Sequence, residues 1–232
     1  KLFENFNPTS AKAWKQKIQF ELQGKDFNDH LVWNSTEGID VKPFYHSEAF
    51  SKAPSIQHNS SDWNIGHSIY VNSVEKSNVQ AVSWIKNGVE SLHFTLPSDE
   101  ISIEDLLKNI DTSTVSIYFE PMFLSEKLIT HLKDYSIINN SIFYVLQDPI
   151  GHLARSGNWH KNLKIDLQTL KETSLLGMPL NSVISVDLGL FQNAGGSMIQ
   201  QLAYALAHSN EYLNLFDGAT LKSVVFKVSV GS

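Results

Sequence analysis

Ser91-Leu92-His93-Phe94-Thr95-Leu96 alternates polar and apolar side chains through six residues, the period of a strand with two unlike faces. Leu92, Phe94 and Leu96 make one face apolar, while His93 and Thr95 make the other polar. Five more short runs, at residues 65–71, 114–120, 141–147, 182–188 and 222–230, are rich in β-branched or aromatic residues. Helical patterns separate them. These are Val79, Val82 and Ile85 within residues 74–87; Ile103, Leu106, Leu107 and Ile110; then Leu124, Leu128, Ile129 and Leu132. A fourth helix is expected near residues 167–175, and a fifth over 197–208 with Ile199, Leu202, Ala203 and Leu206. Strands that alternate with helices pair in parallel through right-handed crossovers, so the fold class is α/β.

The strand faces choose the architecture. Strands covered by helices on both sides read as nearly continuous apolar runs, but here a polar or small set recurs: Gly66 and Ser68, His93 and Thr95, Ser116 and Tyr118, Ser185 and Asp187, Lys227 and Ser229. Six strands sharing such a face suit a parallel β/α barrel of the TIM type, with a polar lumen that includes Ser68, His93, Tyr118, Asp187 and Lys227. The alternative is that these positions are strand-end loop residues read out of register. Six units are two short of a closed barrel, and no helix follows the last strand. A barrel truncated after about six strands is therefore expected, a fragment of a longer protein whose open edges could pair with another copy. A natural six-stranded open sheet is the other reading.

The first 61 residues read differently from the barrel domain expected over 62–232. Ser10 can cap a helix of about 13 residues with Trp14, Ile18 and Leu22 on one stripe, closed by Gly24. Two extended stretches, Leu31-Val32-Trp33 and Ile39-Asp40-Val41, flank Asn34-Ser35-Thr36-Glu37-Gly38 and read as a hairpin or arm. Residues 46–61 have the Ser, His and Asn content of a linker.

Composition narrows the function classes. With 42% hydrophobic residues in 232, the chain can bury a substantial core. Acidic residues outnumber basic ones by 24 to 18 and the cations are scattered, which argues against nucleic acid as a partner. No apolar run reaches membrane-span length and no secretory leader is apparent, so a soluble, unexported protein is expected. Cysteine is absent; disulfides and thiolate metal sites go with it, and the cytoplasm is the expected location. Phosphate-loop, dinucleotide, zinc-protease and nucleophile-elbow motifs are missing, and no pair of the nine His has helix-face ligand spacing, so no metal site is expected. Asp148-Pro149-Ile150-Gly151 follows the fourth strand, where barrel enzymes keep site residues, but Asp-Pro reads first as a turn starter. Gly195, Gly196 and Ser197 precede the fifth helix and are weak candidates for holding an anionic group.

Gln192-Asn193-Ala194-Gly195-Gly196-Ser197 with Gln201-Leu202-Ala203-Tyr204-Ala205-Leu206-Ala207 resembles the Q-E-A-G-A-[ST] and E-L-A-[FY]-A-L-A signature of methylmalonyl-CoA mutases. Further similarity runs through Trp14–Ile18, Leu22–Phe27, Leu31–Trp33, Glu37–Ile39, Lys42–Tyr45, Trp63–Ile65 and Asn87–Leu96. It covers essentially the whole chain and favours the small, β-type subunit of heterodimeric bacterial enzymes. The resemblance implies a barrel whose axis, in the catalytic chain, holds coenzyme A, with adenosylcobalamin on a separate C-terminal domain carrying D-x-H-x-x-G. That motif does not occur here. Where catalytic chains have a substrate-contacting His this chain has Leu190, Asn193 replaces the Glu, and Gly66-His67-Ser68 replaces R-Q-Y.

Two functions follow. The resemblance implies a small, non-catalytic subunit that binds no cofactor itself and supports a large catalytic subunit interconverting methylmalonyl-CoA and succinyl-CoA. The alternative is an isomerase in its own right, with acyl-CoA in the polar lumen and His93, Asp187 and Lys227 as polar actors. Bulky Tyr70, His93 and Tyr118 would plug that lumen. Since Asp187 and Lys227 fall on the same face of neighbouring strands, the two are expected to pair, with Ser185, Ser229 or water completing the hydrogen bonds.

Overall fold

The computed structural model describes residues 5–50, 63–216 and 223–229. The chain divides into two compact units, 1–61 and 62–232.

In the first unit, α1 (Ala11–Glu21) starts where the Ser10 side chain accepts the Ala13 N–H, and α2 (Phe27–Leu31) starts at Asp26, which caps Asn28 and Asp29. A minimal antiparallel hairpin joins β1 (Trp33–Asn34) to β2 (Asp40–Val41), with Gly38 turning at positive φ. The hairpin is as expected, but α2 occupies part of a stretch read as extended. A 3-10 turn spans Ser47–Ala49, and most of the expected linker lies outside the described residues. The α1 stripe of Trp14, Ile18 and Leu22 buries nothing fully.

The second unit is a six-stranded, wholly parallel sheet. Its strands are β3 (Gly66–Tyr70), β4 (Ser91–Leu96), β5 (Ser116–Pro121), β6 (Phe143–Gln147), β7 (Ser182–Asp187) and β8 (Val224–Lys227), and their spatial order equals their sequence order. Such an order lacks the reversal of a doubly wound sheet, and right-handed crossovers that always step the same way leave their helices on one face. The crossovers carry α3 (Val74–Lys86), α4 (Ile103–Leu106), α5 (Glu126–Asn139), α6 (Pro149–Ser156), α7 (Leu163–Leu176), α8 (Gly189–Asn193) and α9 (Met198–Leu215).

Register explains the alternation. Ile69, Phe94 and Phe119 are aligned neighbours on the helix side, where they pack with Ala81, Leu106, Ile129 and Leu132 in the main core. Ser68, His93, Tyr118 and Tyr144 are aligned on the opposite side, as are Tyr70, Thr95 and Glu120. Gln147 continues the helix-facing set of Phe143 and Val145, and its amide oxygen accepts the Thr173 hydroxyl at 3.2 Å; the register against β7 slips between Tyr144 and Gln147.

Three expectations are corrected. Asp148-Pro149 opens a helix: Asp148 accepts the Gly151 N–H at 2.8 Å and Pro149 takes the first helical position, where its missing N–H costs nothing. The fifth helix runs on to Leu215, and its apolar stripe points away from the sheet. Ile199, Leu202 and Leu206 are exposed, while Ala205, His208, Ser209 and Tyr212 face inward. In the second crossover helix only Ile103–Leu106 is helical, since Asn109 takes a left-handed conformation just beyond it. Among the described residues no helix is long and apolar enough to cross a membrane.

Candidate functional site

The sheet curls toward its polar face, and one ion pair makes this visible. Lys227 Nζ on β8 lies 2.6 Å from Glu120 Oε1 on β5. In a flat sheet three strand spacings, about 14 Å, would separate these strands, and side chains stand roughly perpendicular to a sheet. The head groups meet only across a concave surface.

Around that pair runs a chain of polar contacts. Ser68 Oγ is 3.3 Å from His93 Nδ1, and His93 Nε2 is 2.9 Å from Glu120 Oε2. Lys227 is also 3.9 Å from Asp187 Oδ2, which Arg155 on α6 approaches at 3.4 Å. Asp187 Oδ1 accepts the Gly189 N–H at 2.9 Å. Tyr118 and Tyr144 stack beside them, ring centres 4.5 Å apart and ring planes nearly parallel. Burial pushes the Glu120 carboxyl up, but hydrogen bonds from His93 and Lys227, with their charges, outweigh it and hold the group at about 2. Burial raises Tyr118, with a smaller contribution from Tyr144.

The residues expected in the lumen thus share one face: Ser68, His93, Tyr118, Asp187 and Lys227. Asp187 and Lys227 are aligned neighbours, though each has a nearer partner, Arg155 and Glu120 respectively. Ser185 shares their face but makes no hydrogen bond to either among the described contacts, and the Ser229 side chain lies against Gly189. Glu120 is absent from the sequence reading even though the period-2 step from Ser116 and Tyr118 leads to it.

At the C-terminal ends of β5, β6 and β7 a cavity of about 300 Å³ opens among Glu120, Gln147, Asp148, His152, Arg155 and Asp187. Beneath it lies a buried polar group that sequence reasoning did not find. The Tyr212 hydroxyl donates to Asp148 Oδ1 at 2.6 Å and accepts the Ile150 N–H at 3.0 Å, and His208 Nε2 lies 2.9 Å from the same carboxylate oxygen. Burial would raise Asp148, but His208, Tyr212 and the Gly151 N–H bring it below its ordinary value; burial and then the Asp148 charge push Tyr212 up. Asp148 Oδ2 and Gln147 Nε2 have no hydrogen-bond partner among the described residues. On the rim, the His152 and His160 rings stack at 3.8 Å, and burial, then His152, lower the His160 pKa against the opposing charge of Asp166.

The remaining candidates lie apart from this cluster. At the start of α9 the Gly195 and Gly196 N–H groups donate to Gln192 and Phe191 carbonyls. Ser197 and Gln200 cap each other reciprocally, at 2.9 and 3.3 Å. The Gly195, Gly196 and Ser197 N–H groups are therefore engaged within the chain. Leu190 is half-buried in α8 and offers no polar group. Among the described residues no group of three His, Asp or Glu is placed to hold a metal ion.

No family model matches the sequence. Over its whole length, however, the chain is similar to a protein named methylmalonyl-CoA mutase small subunit from Porphyromonas gingivalis (strain ATCC BAA-308 / W83), at 28% identity over 266 aligned positions, and it spans 42% of that relative's length.

Proposed function

We propose that this chain is part of the small, non-catalytic subunit of a cobalamin-dependent methylmalonyl-CoA mutase, in which it forms the N-terminal arm and six units of a β/α barrel and supports a large catalytic subunit. Similarity to a small subunit along all residues supports the family, and the sequential, curled parallel sheet supports the barrel. The non-catalytic assignment is carried by the Glu120–Lys227 contact, which crosses the concave face where a catalytic chain of this kind holds coenzyme A. His93 and the Tyr118–Tyr144 stack fill the same space. Leu190 and Gly66-His67-Ser68 further remove the donor, cation and phenol that substrate chemistry would use. The chain does not fit cobalamin: it has no D-x-H-x-x-G, and His93 on the concave face is engaged by Ser68 and Glu120. No chemical step is assigned to it. A cytoplasmic location belongs to the same reading.

One observation favours an isomerase in its own right: the cavity with Arg155, His152 and Asp187 opens at the strand ends where barrel enzymes work. A single set of measurements decides. The chain is mixed with a large mutase subunit and analysed by light scattering, while coenzyme A and adenosylcobalamin are titrated calorimetrically into the chain alone. A one-to-one complex, with no binding of either small molecule at micromolar levels, about −8 kcal/mol, is expected. Turnover of methylmalonyl-CoA by the chain alone would overturn the proposal.

A further inference from the structure

Three adjacent strands of the parallel sheet set a hydroxyl, an imidazole and a carboxylate in line. Ser68 on β3 and His93 on β4 are aligned neighbours on the concave face, and Glu120 follows Tyr118, the β5 neighbour of His93, on that same face. The contacts run in the same order: Ser68 Oγ is 3.3 Å from His93 Nδ1, and His93 Nε2 is 2.9 Å from Glu120 Oε2. Each ring nitrogen of His93 thus faces a different kind of group. Glu120 is ionised, since against burial the hydrogen bonds from His93 and Lys227 hold it at about 2. A carboxylate beside Nε2 draws the ring proton to that nitrogen, which leaves the Nδ1 lone pair toward the Ser68 hydroxyl. A base within reach of a hydroxyl, itself oriented by a third group, is the arrangement that activates a serine.

The hydroxyl can be reached. Ser68 is exposed, while His93 and Glu120 are half-buried behind it. Its neighbours along the same face of β3 are Gly66, which has no side chain, and Tyr70, whose ring is largely exposed. One side of Ser68 is therefore open and the other has an apolar wall, which suits a small uncharged acyl group. A donor for developing negative charge is also at hand. The Ile65 carbonyl accepts the Ser91 N–H and the Val71 N–H donates to Thr95, so odd-numbered residues of β3 bond to β4 and the Ser68 N–H points to the outer edge of the strand. The nucleophile's own N–H is one of the donors that stabilise a tetrahedral intermediate in serine hydrolysis.

We propose that Ser68 is the nucleophile of an acyl-transfer site for small uncharged carboxylic esters, with His93 as its base and Glu120 as the positioning group. The Ser68 hydroxyl proton passes to His93 Nδ1 as Oγ adds to the ester carbonyl; the bond from that carbon to the alcohol oxygen breaks, and the leaving oxygen takes the proton. Water then adds to the acyl-serine carbonyl and gives a proton to Nδ1, which returns it to Ser68 Oγ as the acid departs. Ester and water become acid and alcohol, with no other reactant. The inference goes beyond the mutase reading and does not depend on it, since neither a coenzyme nor a second subunit takes part. In the test the full chain is treated with p-nitrophenyl acetate and, separately, with diisopropyl fluorophosphate, and the adducts are mapped by peptide mass spectrometry. Ser68 should be labelled ahead of every other exposed serine, and the Ser68 adduct should vanish in Ser68→Ala and form at least about 100-fold more slowly in His93→Gln. Nitrogen chemical shifts of the His93 ring give a readout that needs no change at His93: a protonated Nε2 and bare Nδ1 in the wild type, with the proton redistributed toward Nδ1 in Glu120→Gln, which also slows labelling. Equal labelling of Ser68 and other exposed serines, an unchanged rate in His93→Gln, or a wild-type ring protonated at Nδ1 would each overturn the inference and leave the three side chains as support for the fold alone.

Discussion

The two halves of the parallel sheet are held in different ways. From β3 to β6 the layer between sheet and helices is mostly apolar, with Phe94, Phe119, Phe143, Leu106 and Leu132 fully buried; just before β6 the hydroxyls of Thr112 and Ser141 satisfy each other and that of Ser136 donates to the Ser141 carbonyl. Around β7 the core is smaller, built on Leu170, Ile184, Val186 and Ala205, and polar groups stand among its members. Gln147 with Thr173, Ser174 with the Leu170 carbonyl, and Asp148 with Tyr212 and His208 are all buried there. Apolar burial is tolerant of exchange, whereas a buried polar group is costly unless its own partner is in place. The first half therefore supplies stability, and the second fixes geometry beside the cavity at the strand ends.

The sharpest way to break this contrast is to remove one ring from the apolar half. Phe119 is fully buried between Phe94 and Phe143, with ring centres 6.1 and 5.2 Å away. Phe119→Ala should cost about 3–5 kcal/mol, read as a lowered denaturant midpoint. A loss near zero would mean that the aromatic cluster is not the support of this half.

In the polar half the expected loss is somewhat smaller and has a different signature. Asp148→Ala leaves Tyr212 and the first turn of α6 without their acceptor and removes the carboxylate 2.9 Å from His208, a loss of about 3 kcal/mol. The double replacement Asp148→Leu with His208→Leu should recover part of it, since no buried partner is then left unpaired. Strict additivity in a double-mutant cycle would show that the two side chains do not act as a unit.

Acid should act on the concave face before it acts on the apolar half. Glu120 is held near 2 against an ordinary value of 4.5, a depressed pKa. Its contribution is complete above about pH 4.5 and is lost as the pH falls through about 2, where Lys227 loses its nearest counter-charge. With 24% of its side chain exposed, screening reduces the effect to about 1–2 kcal/mol. Between pH 5 and 2 the wild type should lose more stability than Glu120→Gln, and parallel titrations of the two would refute the assignment.

The same contrast explains what could be read from sequence. In β4 the alternation of Leu92, Phe94 and Leu96 with His93 and Thr95 is local information, and the strand lies where that pattern puts it. Leu106, Ile129 and Leu132 sit on helix faces whose period is equally local, and they are buried. The period-3.6 stripe of α9 misleads because it measures apolarity and not direction; Ile199, Leu202 and Leu206 face outward while His208 and Tyr212 face in. The Asp148 cluster joins residues some 60 positions apart, and nothing near Asp148 announces a partner on α9. Asp-Pro serves a turn and a helix start alike, so α6 stayed hidden until its cap hydrogen bond was visible.

Asp187 and Lys227 test the smallest difference. The sequence reading allows a buried pair, for which Asp187→Ala would cost about 3–5 kcal/mol. In the folded chain their side chains keep 23% and 29% of their surface in water, and their separation of 3.9 Å is at the limit of an ion pair. Lys227 also retains Glu120 at 2.6 Å, so loss of Asp187 does not leave it without a counter-charge. Arg155, the other cation facing Asp187, is more exposed still and can turn to solvent. The remaining loss is the hydrogen bond from Gly189 N–H at the start of α8. Asp187→Ala should therefore cost only about 0–1 kcal/mol, most of it recovered by Asp187→Asn, whose side-chain oxygen can still accept that N–H. Lys227→Ala should cost more than Asp187→Ala, because it removes the only cation that bridges β8 to Glu120 among the described contacts. The reverse order in denaturant midpoints would mean that Asp187, and not Glu120, anchors the final strand.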